Sequence, residues 1–365
     1  MNAADLEAAR LLLVRMGITP EQLLAADPAD SRSMPTFRDY IPQVSAAVPE
    51  GTRRAYATYW RRIEDTWGDR CIDEPTPLEI KQLCEHNKGH LIIRKNSRGG
   101  RSATEHLIAA FRCLYRHAAA DGLITDADNP AQRVKKPRRL PSNRRAIPNR
   151  RLAEIVHTAT TTGNDPDLDT LLLRLHTETA CRRGGALGLR PRDLDPEQCL
   201  ILLHEKGGTT RWQPVSPTLM RGLVLHSEQR GSGSRDQLLR YRTGHPITAR
   251  RYDHLWARIG QHLPWVATQQ ISTHWLRHTT LTWVERHYGY AVARAYAGHT
   301  RKNNAGATTT YITTDLHEVA TALAALTGEV HLLAEPRTSL AVRATERPLK
   351  WQAPVENPRG IGAIR

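Results

Sequence analysis

The sequence predicts a mainly α protein: a helical domain joined by a basic linker to an α+β domain with one small antiparallel sheet. Three observations predict it. Apolar residues recur at three-and-four spacing along most of the chain. A Pro-containing basic stretch with no acidic residue, RVKKPRRLPSNRRAIPNRR, interrupts that pattern after residue 132. One segment, CLILLHEKGGTTRWQPVSP, reads as two strands around a Gly-Gly turn. At 365 residues, 39% of them hydrophobic, the chain is too long for one ordinary core and long enough for about two.

Residues 1–34 read as a helical arm, with Leu6, Leu11, Leu12, Leu13, Ile18, Leu23 and Leu24 apolar ahead of the break SRSMP. Residues 35–132 read as an all-helical domain. Within it Tyr56, Tyr59, Trp60, Ile63 and Trp67 share one helix face, with Arg53, Arg54, Arg61 and Arg62 elsewhere. An aromatic core stripe under a solvated basic face is the reading, rather than base stacking. Ser102 and Glu105 fit a capping box for a second helix, whose stripe is Leu107, Phe111, Leu114 and Ala118 and whose stop is Gly122. Residues 133–147 read as an extended linker. Residues 148–330 form the α+β domain: helices to about residue 186, the hairpin, then helices around ITARRYDHLWARIGQHL, THWLRHTT and LHEVATALAALTG. Residues 331–365 read as a flexible tail, and no fixed-period repeat is found.

Charge narrows the partner. Lys plus Arg total 52 against 37 Asp plus Glu, a formal net charge of +15, which favours a polyanion and most simply nucleic acid. The stretch from Arg133 to Arg151 carries nine basic residues, seven of them in the linker (Arg133, Lys135, Lys136, Arg138, Arg139, Arg144 and Arg145), and no acidic one, so it is expected to track a phosphate backbone. There is no apolar run of about 18 residues and no secretory signal, so no membrane association is expected. The five scattered cysteines suit reduced thiols in a cytoplasm, and their spacing is not that of a zinc site.

Phosphodiester transfer needs a nucleophile, cations on the non-bridging oxygens and an acid for the leaving oxygen. The C-terminal half holds candidates for each. Arg182 sits in TACRRGGALGL, Lys206 at the Gly-Gly turn, His274 and Arg277 one turn apart in THWLRHTT, His299 after Gly298, and Tyr311 in TTTYITT. Singly, each has an ordinary structural explanation. THWLRHTT brings two imidazoles and a guanidinium together with no neighbouring carboxylate, which fits a phosphate as their anion. A zinc site on His274 and His278 lacks an evident third ligand, and Arg277 would repel the metal.

In order and local sequence these residues resemble the tyrosine recombinase (phage integrase) family. TACRRGGALGLRPRDLD matches the first family motif with Thr179, Arg182, Leu187, Leu189, Asp193 and Asp195 in register; HWLRHT is the second, unbroken. AGH at 297–299 stands for its Leu-Gly-His, TTTY for the nucleophile, and EKGGTTRWQPVSP for the hairpin with the catalytic lysine. The resemblance covers about residues 148–326. Three departures stand out: Ala180 for the usual Gly, Gly185 for the usual Glu, and a loop before Tyr311 about three residues longer than usual.

The resemblance implies a site-specific recombinase or integrase of a mobile element, acting without metal, ATP or other cofactor. Tyr311 would attack the phosphate to give a 3′-phosphotyrosyl link. Arg182, Arg277 and His299 would hold the non-bridging oxygens, Lys206 would protonate the 5′ oxygen, and His274 would assist proton movement, with His278 in support. It also implies double-stranded DNA with specific recombination sites as partner, a homotetramer on two duplexes built from free monomers or dimers, and a cytoplasmic, nucleoid-associated location. LHEVATALAALTG is then either a helix exchanged between protomers or one packed on its own domain. A topoisomerase of type IB would differ in relaxing supercoils as a monomer, and a catalytically impaired DNA-binding regulator in binding without cutting.

Overall fold

Why the aromatic stripe forms a core is visible in the computed structural model, which describes residues 3–17, 19, 34–89, 100–138, 140, 144–205, 208–298 and 316–334. The chain divides into two units, Met1–Pro141 and Ser142–Arg365. The first contains α1 (Ala3–Met16), α2 (Phe37–Ala47), α3 (Glu50–Trp67), α4 (Pro77–Gly89) and α5 (Arg101–Ala120). Trp60, Ile63 and Trp67 of α3 are buried, Tyr56 and Tyr59 half-buried, and Arg53, Arg54 and Arg61 exposed. The rings interlock with neighbouring helices: Trp67 lies 5.9 Å from Phe37 and 5.5 Å from Phe111, and Trp60 Nε1 donates to Ala110 O. Offset aromatic packing of this kind adds to simple burial.

One expectation changes here. The start of α5 is set by Gly100, in the left-handed region at φ 71 and without a side-chain cap, so Ser102 lies inside the first turn and the capping box does not form. The stop at Gly122 (φ 74) is as expected. The basic segment is tied down near both ends. Val134 is buried in the first unit's core, where Arg112 donates to the carbonyls of Ala131 and Val134. Ile147 is buried in the second unit, its N–H donating to Thr279 Oγ1 at 2.9 Å. An apolar residue at each end anchors the segment by burial, while its described basic side chains are exposed.

The second unit runs α6 (Asn149–Thr161), α7 (Pro166–Thr179), α8 (Arg183–Leu187), β1 (Leu194–Asp195), β2 (Leu200–His204), β3 (Thr210–Pro214), α9 (Pro217–Gln229), α10 (Ala249–His262), α11 (Pro264–Gln269), α12 (Thr273–Tyr296) and α13 (Leu316–Thr327). The hairpin pairs β2 with β3 antiparallel, Leu202 opposite Trp212, and the two-residue β1 adds a third strand, so the sheet order is β1-β2-β3. Ile201 and Leu203 point into the core. The fold is thus mainly helical with one small antiparallel sheet.

Helix α7 runs through the middle of this unit. Leu168, Leu172 and Leu175 pack toward the sheet and α9, and Leu173 toward α6 and α10. Its acidic first turn meets arginines distant in sequence: Asp165 takes a two-pronged contact from Arg230, and Asp169 one each from Arg251 and Arg258. Burying carboxylates is unfavourable unless they are paired, and here guanidiniums provide the pairing. Val319, Ala322 and Leu323 of α13 pack with Val284, Val292 and Tyr296 of α12, so this helix is seated on its own unit in this chain. Among the described residues no helix is long and apolar enough to cross a membrane.

Candidate active site

The site grows from two chain reversals. At the end of α7, Ala180 adopts the left-handed conformation (φ 48), which turns the backbone so that Arg182 leaves extended at φ −77, ψ 154. An L-residue there costs about 1–2 kcal/mol. The Ala180 methyl, however, is fully buried against α12 and α13, and that burial offsets the strain by about 0.8 kcal/mol. Ala in place of the family's Gly is therefore a mild change. The second reversal follows α12, at Ala297 and Gly298 (φ 64).

Arg277 ties the two reversals together. It is 4% exposed and donates from Nη2 to Ala297 O at 2.8 Å and from Nη1 to Ala180 O. Burial, and then the charge of Arg182, push its pKa down to about 10, which leaves it protonated at neutral pH. Arg182 is more open and is held from behind: Nη1 donates to Glu205 Oε2 at 2.7 Å. The sequence shows no acid beside these cations, yet the fold supplies one. Glu205 sits on Arg182, and Asp253 lies 3.5 Å from Arg183. The reason is topological, since the β2–β3 hairpin brings residue 205 alongside α8.

Arg182, Arg183, Trp256, Thr273, His274 and Arg277 line a cleft of about 380 Å³. The N-terminus of α12 opens into it, adding the positive end of a helix dipole to the guanidiniums. Trp256 Nε1 donates to Thr273 Oγ1 and so fixes the first turn. The His274 pKa is lowered, chiefly by burial and next by the charge of Arg144 and Arg277, so its ring is neutral at neutral pH. His278 is paired with Thr282 Oγ1 one turn later on the same helix.

Below the cleft lies a group that spacing does not reveal. His176 Nδ1 donates to Cys181 O, and Nε2 accepts from the Tyr252 hydroxyl at 3.0 Å. Burial pushes the His176 pKa down to about 4. A lone histidine within the apolar run LLLRLHTE was the only sequence signal for it.

Of the six predicted catalytic side chains, Arg182, His274 and Arg277 meet at this cleft. Lys206, His299 and Tyr311 lie outside the described residues, as does Arg139. Their described chain neighbours are placed: Glu205 N donates to Thr209 O at 2.7 Å, closing the hairpin loop, and Gly298 ends the second reversal. Arg133, Lys135, Lys136, Arg138, Arg144 and Arg145 are exposed.

Comparison with curated proteins returns no match. Among solved structures the fold is similar to a lambda integrase tetramer bound to a Holliday junction, with a TM-score of 0.58 at 14% identity over 82% of this chain and 88% of that one. It is also similar to a lambda integrase dimer bound to a COC′ core site (TM-score 0.56, 14% identity, 77% of this chain and 99% of that one). A Tn1549 transposon integrase in complex with a circular intermediate DNA matches with a TM-score of 0.51 at 16% identity, over 73% of this chain and 92% of that one. Residues 146–315 match the model of the phage integrase family, a span that contains the arginine–histidine cleft. With that match, residues 146–315 form a domain of the phage integrase family, the tyrosine recombinases.

Proposed function

We propose that this recombinase cuts and rejoins DNA at specific sites through a 3′-phosphotyrosyl intermediate formed by Tyr311. The observation that carries the reading is the convergence of Arg182, His274 and Arg277 on one cleft at a helix N-terminus. Such a cleft suits a phosphate whose negative charge grows as the nucleophile attacks. Arg182 and Arg277 bind the non-bridging oxygens with the N–H groups not committed to protein, and His299 donates to the same oxygens. Neutral His274 accepts or relays the tyrosine proton, and Lys206 protonates the departing 5′ oxygen. Attack by a 5′-hydroxyl of another strand releases Tyr311 and restores the phosphodiester, so bond energy is conserved without ATP.

The partner in this reading is double-stranded DNA. The exposed Arg133, Lys135, Lys136, Arg138, Arg144 and Arg145, together with Arg139, contact the backbone. Two duplexes are joined by four protomers, as in the lambda integrase tetramer on a Holliday junction. Gly185 in place of the usual Glu is the feature that favours an impaired, non-cutting regulator, and Glu205 supplies a carboxylate next to that position. A nicked suicide substrate is expected to trap a covalent protein–DNA adduct with the wild type and none with Tyr311→Phe. An adduct that survives this substitution would sink the assignment.

A further inference from the structure

Glu205 is a buried carboxylate between two guanidiniums, next in the chain to Lys206. Its side chain is 2% exposed, 2.7 Å from Arg182 Nη1 and 3.7 Å from Arg211 Nη2. Arg211, on β3, is half-buried; it donates to Gln213 and to Thr179 O, and its Nε and Cδ fill the space where Gly298 lacks a side chain. Arg182 thus has one edge held from the protein side while its side chain stays open to the cleft.

Position 185 faces the same carboxylate. A Cβ built on Gly185 would lie 3.9 Å from Glu205 Oε1 and 3.6 Å from His204 O, in ordinary contact, and its backbone is not left-handed. A methyl fits there. A longer acidic side chain would enter the volume that Glu205 occupies and set two carboxylates against each other. The pocket behind Arg182 therefore accepts one carboxylate, from α8 or from the hairpin, and in this chain the hairpin carries it.

We propose that Glu205 is a positioning residue for strand cleavage: it orients Arg182 toward the scissile phosphate and, through Arg211, couples that arginine to the Lys206 hairpin and to the turn before His299. The local charge balance suits the role. One carboxylate stands among Arg182, Arg211 and Arg277, so it fixes geometry and leaves net positive charge for the phosphate. Burying a carboxylate is unfavourable unless it is paired: Oε2 accepts from Arg182, while Oε1 has no hydrogen-bond partner among the described residues and faces the Arg211 charge at 3.7 Å. The inference rests on the recombinase reading.

Relocating the carboxylate tests it. Glu205→Ala, Gly185→Glu and the double variant would be compared with wild type in three measurements: single-turnover adduct formation on a suicide substrate, equilibrium binding of the same DNA, and melting temperature. Glu205→Ala is expected to slow adduct formation between roughly tenfold and a hundredfold, the scale set by misplacing a reacting contact. DNA affinity is expected to change less than about threefold, because one phosphate contact among many is affected. Gly185→Glu alone also slows cleavage, and the double variant returns to within about threefold of wild type, since its single carboxylate again sits behind Arg182. Glu205→Gln, which keeps the shape, gives the same slowing should the alanine variant fold poorly.

Cleavage by Glu205→Ala at the wild-type rate, or a double variant no faster than Glu205→Ala, would overturn the proposal. Failure of the recombinase reading is distinct, because the wild type itself would then form no adduct. In that event the melting temperatures decide: restoration in the double variant supports a single-carboxylate pocket, and its absence refutes it.

Discussion

Arg277 has five N–H groups, and two of them are committed to the carbonyls of Ala180 and Ala297. It therefore builds the cleft as well as lining it, and lysine could not hold both carbonyls in one plane. His176 has the complementary role of a buried, neutral strut. Its pKa and that of His226 are each pushed down to about 4, mainly by burial, against an ordinary value near 6.5. Between those values the unfolded chain binds protons that the folded chain does not, so stability rises with pH across the window and is lost as pH falls from 6.5 to 4. For each residue the loss at the acid end is on the order of 3 kcal/mol. Denaturant melts at pH 7, 5.5 and 4 should show the decline, and His176→Gln should make it shallower; an equal slope in the variant would remove His176 from the cause.

Between α12 and the residues that follow it, the turn at Gly298 depends on having no side chain. Its φ of 64 suits glycine, and a Cβ would overlap the Arg211 guanidinium. Gly298→Ala is expected to destabilise the protein by about 1–2 kcal/mol from backbone strain alone. By displacing Arg211 it should also slow adduct formation. Differential scanning calorimetry and the suicide-substrate rate check both parts, and wild-type values for each would show that the turn tolerates a side chain. Position 185 offers a contrast within one element. It is helical, with ordinary clearance, so the same change at Gly185 meets no such obstacle. Much of the helical layout was legible, because stripes such as Leu107, Phe111, Leu114 and Ala118 are local and periodic. The entry to α5 was not, because a left-handed Gly100 upstream overrode the Ser102–Glu105 pattern.

For the molecule as a whole, a net charge of +15 makes DNA affinity a matter of salt. Each phosphate contact contributes about 0.9 to the slope of log K against log salt concentration. Arg144 and Arg145 are both exposed at the start of the second unit, and Arg144 lies close enough to His274 to depress its pKa. Replacing both with Ala is expected to lower that slope by about 2, with little change in melting temperature because neither is buried. Affinity titrations from about 50 to 200 mM salt would measure it; an unchanged slope would place these arginines off the DNA.

The order of chemical groups along the chain was set by the sequence alone. HWLRHT, the TACRRGGALGL turn and the basic segment can be read because each is local, and because their residue types and order resemble those of one family. The sequence could not show what the tertiary structure decided. Asp169 meets Arg251 and Arg258 across more than 80 residues, His176 meets Tyr252 across 76, and Glu205 takes the place beside Gly185 and Arg182. These pairings depend on which elements the packed core brings side by side. A carboxylate missing from one motif can therefore return from a distant strand, because the electrostatics of the cleft constrain where the charge sits and not which residue carries it.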